Sequence, residues 1–408
     1  MPDSTPFTVH VSDDELARMR RKIEDYALPE REIVPNSRDC WDYGVSLDWA
    51  KGLRDAWLNE FDWRDVEKEL NRWPQFKVEL EGISLHFVHQ RSQRPDAIPL
   101  LLVHGWPGSF YEFYSVIDAL TNPPNASDPA FHVIIPSVPG FLFSSTPQKN
   151  GWTVKDTGRL LDTLVTEVLG YASYAIQGGD WGSIIATLMS DYPRCKAVNL
   201  NMCTVPPPHS PIIMGLVWAL PKWISDRIVS WTFTPDEWRQ LMRTKDFAMQ
   251  GAGYFAMQST QPLTIGLALN DSPMGLLLWL GEKYHTHVDP AHKLAPRTLL
   301  TIISLYYLTH SFASSCLPYR ENTALFGAPP AKITDSILGV SVFKHDILIF
   351  PRYWIEKWHK KKLVFYRQHE RGGHFPALDN PDALVADVRE MMGTHRALFD
   401  TKESAKTP

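Results

Sequence analysis

Gln177-Gly178-Gly179-Asp180-Trp181-Gly182-Ser183 is the stretch on which the reading of this chain turns. It follows Tyr174-Ala175-Ile176, a short apolar run with the texture of a buried strand, and it leads into Ser183-Ile184-Ile185-Ala186-Thr187-Leu188-Met189, a helical pattern. Strand, glycine-flanked acid and helix together give the frame G-x-D-x-G, a nucleophile elbow with Asp where Ser is usual. Small residues at Gly178 and Gly182 let the chain turn sharply and present the Asp180 side chain at the top of a sheet. A helix N-terminus beside it helps keep a carboxylate ionised in a partly dry pocket. The plainer alternative is that Asp180 simply caps the helix it precedes.

Outward from the elbow, short apolar runs alternate with helical patterns. Pro99–Val103, Phe131–Ile135, Ser341–Phe343 and Leu363–Tyr366 read as further strands. Strands alternating with helices predict a mostly parallel sheet with helices on both faces. Residues 205–325 break the alternation: Pro206-Pro207-Pro208 opens a helical stretch rich in Trp, Met and Leu. An all-helical insertion between two strands of a parallel sheet is the layout of a cap, placed over the carboxyl ends of the strands where ligands bind. Residues 1–95 read as an N-terminal extension wrapping the core. It holds a helix capped by Ser12 and a hairpin whose strands, Phe76–Leu80 and Ile83–Phe87, meet at Glu81-Gly82. The expected organisation is therefore extension 1–95, core 96–204, cap 205–325 and core 326–408.

The choice of carboxylate has a chemical reason. A serine that attacks saturated carbon leaves an ether, which water does not readily cleave. A carboxylate leaves an ester whose carbonyl can be hydrolysed, so Asp180 points to displacement at saturated carbon through a covalent ester. No serine of the chain stands in a G-x-S-x-G frame, which argues against esterase and lipase chemistry. His104-Gly105-Trp106-Pro107-Gly108 follows a strand about one βα unit before the elbow, and the backbone N–H groups of Trp106 and Trp181 are the expected oxyanion hole. Taken alone, that motif is only a Gly-Pro turn.

A base must activate water, and among 15 histidines His374 stands out in Gly372-Gly373-His374-Phe375, after the last strand and before a final helix. Asp346, after the preceding strand, is the acid expected to orient it; Asp335 and Glu356 are less well placed, one at the wrong end of that strand and one too far beyond it. The chain order of oxyanion turn, nucleophile, acid and histidine is that of the α/β-hydrolase fold.

Composition narrows the remaining possibilities. A formal net charge of −5 gives no reason to expect a nucleic-acid partner. No apolar run approaches the length of a membrane span, and the first residues lack the pattern of a signal peptide, so a cytoplasmic protein without a membrane anchor is expected. Cys40, Cys195, Cys203 and Cys316 show no ligand spacing and read as reduced core filler. His285-Thr286-His287 with Asp289 is a weak zinc signal, more simply a polar loop.

The phrases HGWPGSF (104–110), GGDWGS (178–183) and GGHFPALDNP (372–381) together resemble epoxide hydrolases of the microsomal and fungal type. The resemblance runs over almost the whole chain, including Phe61-Asp62-Trp63 in the extension and Gly253–Gln258 and Ser304–Thr309 in the cap. It implies an enzyme that converts a small-molecule epoxide to a vicinal diol without metal or organic cofactor, with a homodimer as a family-level expectation. It also implies that Tyr254 and Tyr306 hold and protonate the epoxide oxygen, with Tyr307 the neighbour that a one-residue shift would substitute. A haloalkane dehalogenase would use the same elbow with Trp N–H groups on the departing halide; the cap tyrosines and the long extension favour the epoxide. A non-catalytic binding protein of the same fold would not need nucleophile, acid, base and oxyanion turn together.

Overall fold

The computed structural model describes residues 4–34, 41–207, 220–221, 223–224, 227 and 233–400. Cys40 and Pro208 lie outside them. The strands are β1 (Thr5–Phe7), β2 (Gln75–Leu80), β3 (Ile83–Gln90), β4 (Ile98–Val103), β5 (Phe131–Pro136), β6 (Tyr174–Gly178), β7 (Cys195–Leu200), β8 (Ile337–His345) and β9 (Leu363–Gly373). They form one sheet in the order β1-β2-β3-β5-β4-β6-β7-β8-β9. From β5 to β9 the pairing is parallel, while β1, β2 and β3 join antiparallel, β3 pairing with β5 from Phe87 opposite Pro136 to Gln90 opposite Val133. Every residue of β5 and β6 is buried, which explains why these strands read as continuous apolar runs rather than alternating ones. This is the α/β-hydrolase topology that the order of motifs predicts.

The hairpin forms as its sequence requires. Leu80 pairs with Ile83, and Glu81 and Gly82 both take positive φ, 52° and 78°, as a two-residue turn of mirror-image type demands. Two strands were not singled out in the sequence, the short edge strand β1 and the inner strand β7. Cys195–Leu200 carries Lys196 and Asn199 within its apolar pattern, yet it lies between β6 and β8. Burial of Asn199 is offset by its bond to the Ser341 hydroxyl (3.2 Å) on the adjoining strand.

The first 95 residues do more than wrap. Three of their strands extend the central sheet, and their helices α1 (Asp13–Glu24) and α2 (Leu47–Asn59) pack against the cap helices Pro273–Thr286 and Pro296–Leu308. Arg18 and Lys22 on α1 both pair with Asp271 in the cap. Ser12 caps α1 by accepting the Glu15 N–H (3.3 Å), as the sequence predicts. Between β7 and β8 the described segment from Pro235 to Gly327 is helical throughout its regular elements, and it crosses the carboxyl edge of the parallel strands.

Candidate active site

Four turns converge at that edge because they follow β4, β6, β8 and β9, which run parallel. After β6, Asp180 adopts φ 51° and ψ −128°, a conformation costly for a non-glycine residue and a frequent mark of functional turns. Its side chain makes no capping bond to its own helix α6 (Trp181–Met189), so it is not the helix cap that its position alone would allow. One carboxylate oxygen, Oδ1, instead accepts the backbone N–H of Trp106 at 2.8 Å. Oδ2 stands 3.3 Å from His374 Nε2. The glycines are spatial requirements: a Cβ on Gly182 would lie 2.0 Å from the Val103 carbonyl oxygen, and one on Gly105 would lie 2.1 Å from Asp180 Oδ1.

His374 reaches Asp180 through a close backbone approach. Gly372 has φ 91°, a Cβ on Gly373 would lie 2.4 Å from the His287 carbonyl oxygen, and the His374 N–H donates to that same oxygen at 2.7 Å. Asp346 Oδ1 is 2.7 Å from His374 Nδ1 and also accepts the Ile347 N–H at 2.7 Å. Asp335 is exposed and Glu356 pairs with Arg352 at the surface, so neither competes with Asp346. Burial alone would lower the His374 pKa, but the carboxylates of Asp346 and Asp180 on either side outweigh it and raise it to about 10. At neutral pH the imidazole is therefore cationic while Asp180 is free. Arg243, from the cap helix Pro235–Asp246, donates to the carbonyls of Asp346 (2.8 Å) and His345 (2.6 Å), which ties the cap to the acid's turn.

On the cap side, Tyr254 in the helix Gly253–Thr260 stacks on the Trp106 indole, with ring centroids 5.0 Å apart and planes at 19°. A cavity of about 360 Å³ opens between sheet and cap, with Asp180, Trp181, Ile184, Phe247, Tyr254, Phe255, Tyr319 and Phe326 among its lining residues. A larger groove of about 1160 Å³ runs past Trp41, Arg243 and Lys283 but touches neither Asp180 nor His374. The smaller, mostly apolar cavity is the candidate site because the elbow carboxylate of Asp180 forms part of its wall.

The structure corrects one expected site residue. Tyr306 is fully buried and its hydroxyl donates to the Gly108 carbonyl (3.0 Å), so it buttresses the oxyanion turn and does not line the cavity. Tyr307 does not line it either. The second tyrosine in the cavity wall is Tyr319, in the short helix Leu317–Glu321. Its ring meets Trp106 and Trp181 edge-on, at centroid distances of 5.6 and 5.0 Å, and its buried hydroxyl has no protein hydrogen-bond partner. Burial, first, and the Asp180 carboxylate raise the pKa of both Tyr254 and Tyr319, so both are protonated at neutral pH. No spacing in the sequence marks Tyr319. Its signal is its place where the cap returns toward the sheet, which only the fold reveals.

Trp106 donates its indole N–H to the Ser315 hydroxyl at 3.2 Å, so that donor is already engaged. The residues behind the zinc signal are scattered: His285 stacks on Trp41 at 3.6 Å between centroids, and His287 lies edge-on to His374. Among the described residues no group of three or more His, Cys, Asp or Glu could hold a metal ion. Cys195, Cys203 and Cys316 are buried and not disulfide-bonded. No described helix is long and apolar enough to cross a membrane.

An elbow aspartate, a facing Asp–His pair and an oxyanion turn on this sheet define an α/β-hydrolase-fold protein with a carboxylate at the nucleophile position. Residues 4–113 match the family described as "Epoxide hydrolase N terminus", and residues 98–250 match "alpha/beta hydrolase fold". The chain is 35% identical over 400 residues to a putative epoxide hydrolase of Stigmatella aurantiaca, covering 96% of this chain and 86% of that one. It is 34% identical to epoxide hydrolase 1 of Sus scrofa, covering 95% of this chain and 88% of that one. The solved structure of the Aspergillus niger epoxide hydrolase superposes with a TM-score of 0.83 at 35% identity, over 97% of this chain and 96% of that one. The chain belongs to the epoxide hydrolase family.

Proposed function

We propose that the protein opens epoxides to vicinal diols through a covalent ester on Asp180. The observation that carries this reading is the division of the Asp180 carboxylate. Oδ1 is held by the Trp106 N–H and Oδ2 is beside His374, at an apolar cavity with two protonated tyrosines in its wall. With Oδ1 committed to the Trp106 N–H, Oδ2 is the oxygen free to attack an epoxide carbon. As the C–O bond breaks, the alkoxide takes a proton from Tyr254 or Tyr319; so basic a leaving group needs an acid of this kind.

Esterification removes the negative charge of Asp180 and with it one of the two influences that hold His374 protonated. The imidazole then gives up its proton, which restores the phenol spent on ring opening, and can act as base. His374 Nε2 takes a proton from water, the hydroxide adds to the ester carbonyl, and the oxyanion forms at Oδ1 against the N–H groups of Trp106 and Trp181. Trp181 is the first residue of α6, a position whose N–H has no intrahelical acceptor. Collapse of the intermediate releases the diol, whose oxygen takes a proton from His374; the proton left on the Asp180 carboxyl then passes to His374 and restores the resting pair. The helical segment, which contributes both tyrosines and Arg243, acts as the cap of the 205–325 region.

Halide release from a haloalkane is the less favoured reading: a departing halide needs no proton, whereas the cavity wall holds two protonated tyrosines, and of the two candidate halide donors, Trp106 and Trp181, the Trp106 indole N–H is engaged by Ser315. A panel of aromatic and aliphatic epoxides, with Asp180→Ala as control, tests the proposal. Diol formation that disappears in the variant supports it. Chloride release from haloalkanes with no diol from any epoxide would replace it.

A further inference from the structure

Asp180 belongs to the walls of two separate cavities. The larger one, described above, is apolar and carries the tyrosines. The second is small, with Gly105, Glu112, Gln177, Asp180, Asn201 and His374 on its wall beside apolar residues such as Phe113, Phe375 and Leu384. It offers about 10 Å³ to the centre of a water molecule, the room that one water takes.

Glu112 has no part in the chemistry set out so far. It sits in the 3-10 turn Phe110–Phe113 that follows the oxyanion turn, and it is buried. Its Oε2 has no protein hydrogen-bond partner, and neither has Oε1 of Gln177, whose amide N–H is spent on Asn201 Oδ1 at 3.0 Å. A buried carboxyl oxygen left unpaired costs on the order of 1–3 kcal/mol unless a partner arrives. These acceptors and the His374 base border one water-sized cavity beside the ester carbon to be attacked, which fits a water that gives one hydrogen to an acceptor and the other to the base. Burial, first, and the nearby Asp180 charge raise the Glu112 pKa to about 8, so at neutral pH a neutral acid accepts from the water and adds no charge against the forming oxyanion.

We propose that this cavity holds the hydrolytic water and that Glu112 positions it, accepting one hydrogen at Oε2 while His374 Nε2 takes the other. The inference rests on the two-step reading above. In the step itself the water oxygen bonds to Asp180 Cγ, the carbonyl electron pair moves to Oδ1, one proton passes to His374, and the O–H that remains stays on Glu112. The epoxide and the water thus reach Asp180 from separate cavities, and the second step needs no movement of the product out of the apolar cavity.

Rapid-quench kinetics with styrene oxide separate formation of the Asp180 ester from its hydrolysis. In Glu112→Leu, ester formation should stay within about threefold of wild type, while hydrolysis slows about tenfold or more and the ester accumulates. Glu112→Gln keeps an acceptor oxygen and should recover hydrolysis to within about threefold. A variant that leaves Glu112 in place gives an independent check. A Cβ on Gly108 would lie 2.1 Å from Glu112 Oε2, so Gly108→Ala must push the carboxyl aside and should show the same selective slowing. Hydrolysis at the wild-type rate in Glu112→Leu and Gly108→Ala overturns the proposal, as does equal slowing of both steps in the variants that fold. If the wild-type enzyme forms no ester at all, the failure lies in the two-step reading itself.

Discussion

Exchanging the two candidate tyrosines separates chemistry from support. Tyr319→Phe removes a hydroxyl that makes no protein hydrogen bond, so the fold should lose little, within about 0.5 kcal/mol. The same change removes one of two acids at the cavity. General acids contribute about 10²- to 10⁴-fold, and with Tyr254 still present the loss in ester formation should fall near 10²-fold, or about 2.7 kcal/mol of barrier. Tyr306→Phe should do the reverse. It leaves the buried Gly108 carbonyl without its 3.0 Å donor, at a cost of about 1–3 kcal/mol in stability, while ester formation changes by no more than about threefold. Thermal unfolding measures the first quantity, and rapid-quench formation of the ester from styrene oxide measures the second. A large loss of ester formation in Tyr306→Phe, with Tyr319→Phe close to wild type, would refute the assignment.

Three further predictions concern His374 and the turn that carries Asp346. The His374 pKa of about 10 is raised above the usual 6.5 by Asp346 and Asp180, so its contribution to stability is complete below about pH 6.5 and is lost as pH rises through 10. The unfolding temperature should therefore fall over that alkaline window in wild type and fall less in His374→Gln; equal slopes would contradict the charge assignment. In the ester, where Asp180 is neutral, hydrolysis should titrate with an apparent pKa at least about one unit below that of resting His374, as read from single-turnover rates against pH. Arg243→Ala removes two donors to the carbonyls that carry Asp346, and should slow ester hydrolysis by about tenfold through misplacement of the acid–base pair. Unchanged hydrolysis in that variant would mean that the turn holds its shape without the cap.

The parts of the site that were legible in the sequence are those tied to strand ends. Asp180, Asp346, His374 and Trp106 each follow an apolar run, and a parallel sheet brings such turns to one edge regardless of the distance in sequence. The glycines around them carried the same information, since Gly105, Gly178, Gly182 and Gly373 stand where any Cβ would strike backbone or the Asp180 side chain. The cap tyrosine was not legible in this way. Which helical residue faces the sheet depends on how the cap is seated, and Tyr306 and Tyr319 are both buried aromatic residues in helical context. The resemblance named Tyr306, whereas the second tyrosine in the cavity wall is Tyr319. Glu112 was hidden for a different reason: a lone glutamate among aromatics reads as solvent-exposed until the fold shows it buried beside Asp180. The strand Cys195–Leu200 was masked by Lys196 and Asn199, and the first 95 residues gave their helices and hairpin but not their continuity with the central sheet.

Trapping the covalent intermediate tests the two-step chemistry most directly. His374→Gln keeps Asp180 and both cavity tyrosines while removing the base, so after addition of styrene oxide the intact-protein mass should rise by one epoxide per chain. Peptide mapping should place that mass on Asp180, and Asp180→Ala should show none. An unmodified His374→Gln protein, or an adduct on any other residue, would contradict a mechanism that passes through an ester at Asp180.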